Sequence, residues 1–143
     1  MLSKYGNYGI ESVCIPLGMF TNNLYTGILN IINRNNLKFG VKLPRVVFTK
    51  EEEKLSELLE KAKENGASYA VAENIGHVST IKKAGLVLYA GAAMNIFNSY
   101  SVKQCAELGF ESVTLSSELL TAQMRDMEKH GIKTAVIASG CLE

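Results

Sequence analysis

The sequence predicts an α/β fold: a parallel sheet of five or six β/α units, shaped either as an arc of a barrel or as an open doubly wound sheet. Three observations lead there. From Leu37 onward, short β-branched runs alternate with polar junctions and amphipathic stretches, the order expected of repeated β/α units. Most of those runs are continuously apolar, the pattern of strands covered on both faces and therefore paired in parallel. Glycines then stop the amphipathic stretches at Gly66, Gly85, Gly109 and Gly131, at intervals of 19, 24 and 22 residues. Those intervals suit one strand plus one helix with tight connections.

The N-terminal unit, residues 1–36, is the less regular one. It holds a strand around Ser12–Pro16 and a helix around Asn23–Asn33, with Leu24, Ile28, Ile31 and Ile32 on one face. The regular repeats occupy 37–141, with strand candidates at Val46–Thr49, Tyr69–Glu73, Leu86–Ala90, Ser112–Leu115 and Thr134–Ala138. The clearest helix spans Lys50–Asn65, where Leu55, Leu58, Leu59 and Ala62 form an apolar stripe opposite Glu and Lys residues. Thr49 and Glu52 have capping-box spacing, and Glu51, Glu52 and Glu53 place carboxylates at the positive end of the helix dipole. Two later helices are expected, one starting at Ser99 or Ser101 and running through Cys105, the other from Leu119 to His130. At the four stop glycines the chain can turn left-handed without a Cβ penalty.

A length of 143 residues suits a single domain, 1–143, with one core, and is short for a closed β/α barrel of roughly 250 residues. No apolar run reaches the roughly 20 residues of a membrane span, and Met1 to Gly9 lacks the apolar stretch of a signal peptide. A cytoplasmic protein with no membrane partner is the expectation. Cys14, Cys105 and Cys141 are widely spaced and form no C-x-x-C pair, so they read as reduced thiols. The first fifty residues hold six Lys or Arg against one acid, and the remainder nine against thirteen. The basic residues are scattered without an aromatic platform, which favours a solvated surface over a nucleic-acid interface.

The junctions after the strands are where parallel α/β proteins keep their chemistry. Glu73-Asn74-Ile75-Gly76-His77 offers amide, glycine and imidazole groups before a helix, a corner able to hold an anion or simply to turn. Gly91 to Ser99 combines small residues with Asn95 and Asn98, whose amides both donate and accept hydrogen bonds. In Ser116-Ser117-Glu118, Glu118 is a candidate base, acid or metal ligand, and equally a first-turn helix carboxylate behind a Ser cap. Neither His77 nor His130 has a partner at metal-ligand spacing, so no metal is assigned. Cys141, after Ser139-Gly140, is the one thiol placed for reactivity, without an identifiable His partner.

Leu43-Pro44-Arg45, Asn74-Ile75-Gly76-His77, Gly85-Leu86, Met94 to Ser99, Leu108-Gly109-Phe110 and Val113 to Leu119 recur here in an ordered series. Over about Phe39 to Gly140 that series resembles the collagenase-like peptidases, family U-32 of unknown catalytic type. The resemblance implies a partial TIM-barrel-like fold and a cytoplasmic bacterial hydrolase acting as a protease. Some members instead hydroxylate RNA bases or quinone precursors with an iron–sulfur cluster. Members are longer than this chain, and their cluster cysteines lie beyond the corresponding stretch, so no cofactor is expected here and a cluster only in a longer parent protein. Leu142–Glu143 is a candidate tag scar.

The reading that follows is a family-like peptidase domain with Glu118 as catalytic candidate and Arg45, Asn74, Asn95, Asn98 and Ser116 lining a ligand cleft, Arg45 as an anion contact. Its substrate would be a peptide, or RNA in the hydroxylase reading. The competing reading is a non-catalytic interaction domain in which the same residues cap helices. In either, a homodimer or the remainder of a barrel would cover the exposed sheet edges.

Overall fold

The computed structural model describes residues 9–22 and 25–139. Asn23, Leu24, Gly140, Cys141 and the Leu142–Glu143 pair lie outside the described residues. Six strands form one sheet: β1 (Ser12–Pro16), β2 (Lys38–Lys42), β3 (Tyr69–Ala72), β4 (Val87–Ala90), β5 (Ser112–Thr114) and β6 (Lys133–Ala135). Their order across the sheet is the order along the chain, and every neighbouring pair is parallel. The connections carry α1 (Tyr25–Arg34), α2 (Glu52–Glu64), α3 (His77–Ala84), α4 (Ser99–Glu107) and α5 (Thr121–Asp126).

This order decides between the two shapes open to the sequence. A doubly wound sheet reverses direction at a switch point, which sends helices to both faces. Here the order never reverses, and right-handed crossovers of one sense lay every helix on the same side. The sheet curls into half of a barrel.

The core is the layer between sheet and helices. Val41, Ala70 and Val113, from alternate strand positions, are wholly buried in one cluster with Leu59, Ala62, Ile81 and Val102 from the helices. On α2, Leu55, Leu59 and Ala62 are buried as the stripe predicts, and Leu58 is half-buried. The N-terminal unit docks on this helix: the Lys61 ammonium donates to the Phe20 carbonyl at 3.0 Å and lies 5.0 Å above the Tyr25 ring.

Several expectations are corrected. Val46–Thr49 is not a strand: β2 is Lys38–Lys42, while 46–48 form a loop leading into a single 3-10 turn at Thr49–Glu51. The strand was hidden by its own alternation, because Lys38, Gly40 and Lys42 share a face that no helix covers. For the same reason the strands are not covered on both faces, and Val87 remains 40% exposed. The Thr49–Glu52 capping box is replaced by the Phe48 N–H donating to the Glu51 carboxylate at 3.1 Å. Asn98, not Ser99 or Ser101, caps α4. The helix expected over Leu119–His130 is only the six residues of α5; the chain then runs extended at Met127, which is buried, and the Glu128 N–H donates to the Ser99 hydroxyl at 3.1 Å. Gly131 therefore closes a turn with His130, both at positive φ, whereas Gly66, Gly85 and Gly109 do end helices in the left-handed region. Among the described residues no helix is long and apolar enough to cross a membrane.

Candidate functional site

Side chains alternate along a strand, so residues in register with Gly40 and Tyr69 point away from the helices. That concave face carries Cys14 and Lys42 as well as the stacked rings of Tyr69 and Tyr89, whose centroids are 4.6 Å apart. Gly40 is required there, since a Cβ would overlap the Tyr69 ring.

At the carboxyl end of β3 the same alternation puts Glu73 inward. It is 6% exposed, one of three buried polar residues among those described. Its Oε1 lies 3.4 Å from the Lys42 ammonium, and its Oε2 accepts the Ala93 N–H at 2.8 Å. The carboxylate thereby joins the ends of β2 and β3 to the loop after β4. Gly91 makes room for it, because a Cβ at that position would overlap the carboxylate. His77, one turn further, is also buried, and its Nδ1 has no hydrogen-bond partner among the described residues. Burial pushes its pKa below the ordinary 6.5, against an opposing pull from Glu73. Cys14 has surface open to the concave side, yet the surrounding sheet desolvates its thiol and pushes it up to about 11, with Lys42 pulling the other way. At neutral pH it is a thiol and a weak nucleophile. Cys105 is packed in the core, where burial also raises its pKa.

The two junctions richest in polar residues are physically joined. Ile96 and Leu115 form a parallel bridge, and the Ser116 N–H donates to the Ile96 carbonyl at 2.8 Å. Together with the ends of β1 and β2 they border a cleft of about 970 Å³ at the carboxyl edge of the sheet. Lys42, Arg45, Glu73, Asn95, Ser116 and Glu118 all line it, beside Leu55 and Leu58 of α2. A second cavity of about 390 Å³, bounded by Val46, Asn74, Ile75 and Met94, shares Arg45, Glu73 and Ala93 with the first.

Of the residues picked out by sequence, Arg45, Asn95, Ser116 and Glu118 thus meet at one cleft, and Asn74 borders the adjoining cavity. Asn95 sits at φ 49°, a left-handed conformation that Asn tolerates. Ser116 is buried, and its hydroxyl accepts the Glu118 N–H at 3.3 Å, while Glu118 itself is exposed before α5. Asn74 closes an Asx turn by accepting the Gly76 N–H at 2.9 Å. Asn98 borders neither cavity; its Oδ1 accepts from the Ser101 N–H at 2.8 Å and from the Ser101 hydroxyl at 3.1 Å.

Lys42 was not among the sequence candidates, and Glu73 and Gly91 entered only as members of their junctions, without a role of their own. The signal was present: counting by twos from Tyr69 and from Tyr89 leads inward to Glu73 and Gly91. Among the described residues no three His, Cys, Asp or Glu side chains converge, and Cys14 and Cys105 lie on opposite sides of the sheet. The family model for Peptidase family U32 matches residues 15–142. No curated protein matches the chain.

Proposed function

The chain belongs to peptidase family U32, and from that premise we propose that its cleft binds an extended peptide as the substrate-binding half of a hydrolase. The observation that carries this reading is the convergence of Lys42, Arg45, Glu73, Asn95, Ser116 and Glu118 on one cleft at the carboxyl ends of parallel strands. In the proposed reaction Glu118, the solvent-facing carboxylate of the cleft, takes a proton from water as the water oxygen attacks the peptide carbonyl carbon. The Lys42 ammonium stabilises the oxyanion, and the proton passes from Glu118 to the leaving amine as the C–N bond breaks. Glu73 is already committed to Lys42 and to the Ala93 N–H, which suits it to hold the cleft's shape.

Cleavage of a peptide library tests the reading. Glu118→Gln should lower the rate by about a hundredfold or more with the unfolding midpoint unchanged; cleavage at the original rate would reject Glu118 as the base.

A second reading is favoured by the turn that ties Glu118 to Ser116 and by the capping role of Asn98. In it the domain binds a peptide without turnover, and its open concave face and the free edges of β1 and β6 are covered by a second copy or by further barrel strands. A strictly monomeric mass by light scattering at micromolar concentration would exclude the dimer.

A further inference from the structure

The smaller cavity does not resemble the main cleft. Its apolar wall is made by Val46, Ile75 and Met94, and the first two are left 63% and 55% exposed on neighbouring loops. Leaving large aliphatic side chains in water at a concave site is unfavourable, and a ligand side chain seated between them would recover that burial. The volume of about 390 Å³ accommodates a leucyl or phenylalanyl side chain.

Arg45 stands where this cavity opens into the main cleft, bordering both. Among the described residues it takes part in no ion pair: the cleft's other cation, Lys42, holds Glu73. An unpaired guanidinium beside an apolar pocket is complementary to a carboxylate carried next to an apolar side chain, and its planar fork receives such a group through two parallel hydrogen bonds. In a peptide a carboxylate and an apolar side chain belong to one and the same residue only at the C-terminus.

We propose that this corner captures the C-terminus of a peptide ending in a large apolar residue. The terminal carboxylate pairs with Arg45, the side chain enters between Val46, Ile75 and Met94, and the preceding residues run into the main cleft toward Ser116 and Glu118. The assignment rests on the peptide reading of that cleft and adds to it a direction and a terminal specificity.

Three fluorescein-labelled tetra-alanine peptides test it by anisotropy against the 143-residue chain: one extended by a C-terminal leucine with a free carboxylate, the same peptide as its amide, and one ending in glycine with a free carboxylate. The leucine acid should bind up to about tenfold more tightly than either of the others, since a solvent-exposed charge-assisted pair and a partly buried leucyl side chain are each worth up to about that factor. Arg45→Gln should abolish the preference for acid over amide while keeping that for leucine over glycine, and Ile75→Asn should do the reverse. Both residues are exposed on loops, so the urea midpoints should match the parent's. Equal binding of acid and amide would overturn the C-terminal assignment while leaving a peptide cleft intact. Failure of all three peptides to bind at millimolar protein would overturn both.

Discussion

Leu88 and Val87 are consecutive in β4, yet the first is 3% exposed beneath the helices and the second 40% exposed on the concave side. The contrast runs across the whole sheet. On the convex face Val41, Ala70 and Val113 are sealed against the helices in one apolar cluster. On the concave face stand Cys14, Lys42, the Tyr69–Tyr89 stack and, at the carboxyl rim, Glu73. Stability is concentrated on one side and reactive groups on the other. A sheet with a single covered face needs only alternate residues for its core, so the other alternates are free to carry chemistry.

The largest effect that would sharpen this division is truncation on the two faces of the same strand. Leu88→Ala should lower unfolding free energy by about 2–5 kcal/mol in urea titrations, and Val87→Ala by no more than about 1 kcal/mol. Equal losses would mean that the concave face is itself a core, covered in solution.

At the rim, Gly91→Ala should cost about 1–3 kcal/mol because its methyl meets the Glu73 carboxylate. In a Glu73→Ala background the same change should cost less than about 1 kcal/mol, a coupling read from a double-mutant cycle. Additive losses would show that Gly91 serves something other than that carboxylate.

A smaller effect concerns His77, whose pKa is lowered in the folded protein by burial. Below the ordinary 6.5 the unfolded chain takes up a proton that the native imidazole resists, so the neutral site stabilises the fold above that pH and the contribution is lost as pH falls. The unfolding free energy from urea titrations should decline between pH 7 and 5, by at most about 1.4 kcal/mol per pH unit, more steeply in the parent than in His77→Leu. Identical slopes would place the titration elsewhere.

Much of the convex layer was legible beforehand. The stripe of α2, the strand Ser12–Pro16 and the glycine stops at Gly66, Gly85 and Gly109 are written in local periodicity and local backbone chemistry. The failures have two physical causes. Lys-Phe-Gly-Val-Lys at 38–42 alternates because its concave face is open, whereas Val46–Thr49 is more continuously apolar yet forms a loop. The helix expected to reach His130 ends early because Met127 is drawn into the core and the Glu128 N–H finds Ser99 on another helix. Of the candidate site, the polar junctions were legible and their mutual contact was not.

The sequence by itself determined the kind of unit, a parallel β/α repeat with polar strand ends, and its resemblance to a peptidase family, because these depend on residues close along the chain. Only the tertiary structure decided that the repeats wind in one direction, that Ile96 bridges Leu115, and that Glu73 is buried between Lys42 and the Ala93 N–H under the gap left by Gly91. Those arrangements follow from strand order and curl, which bring groups 20 and 31 residues apart within hydrogen-bonding and ion-pairing distance. No local pattern records such a separation.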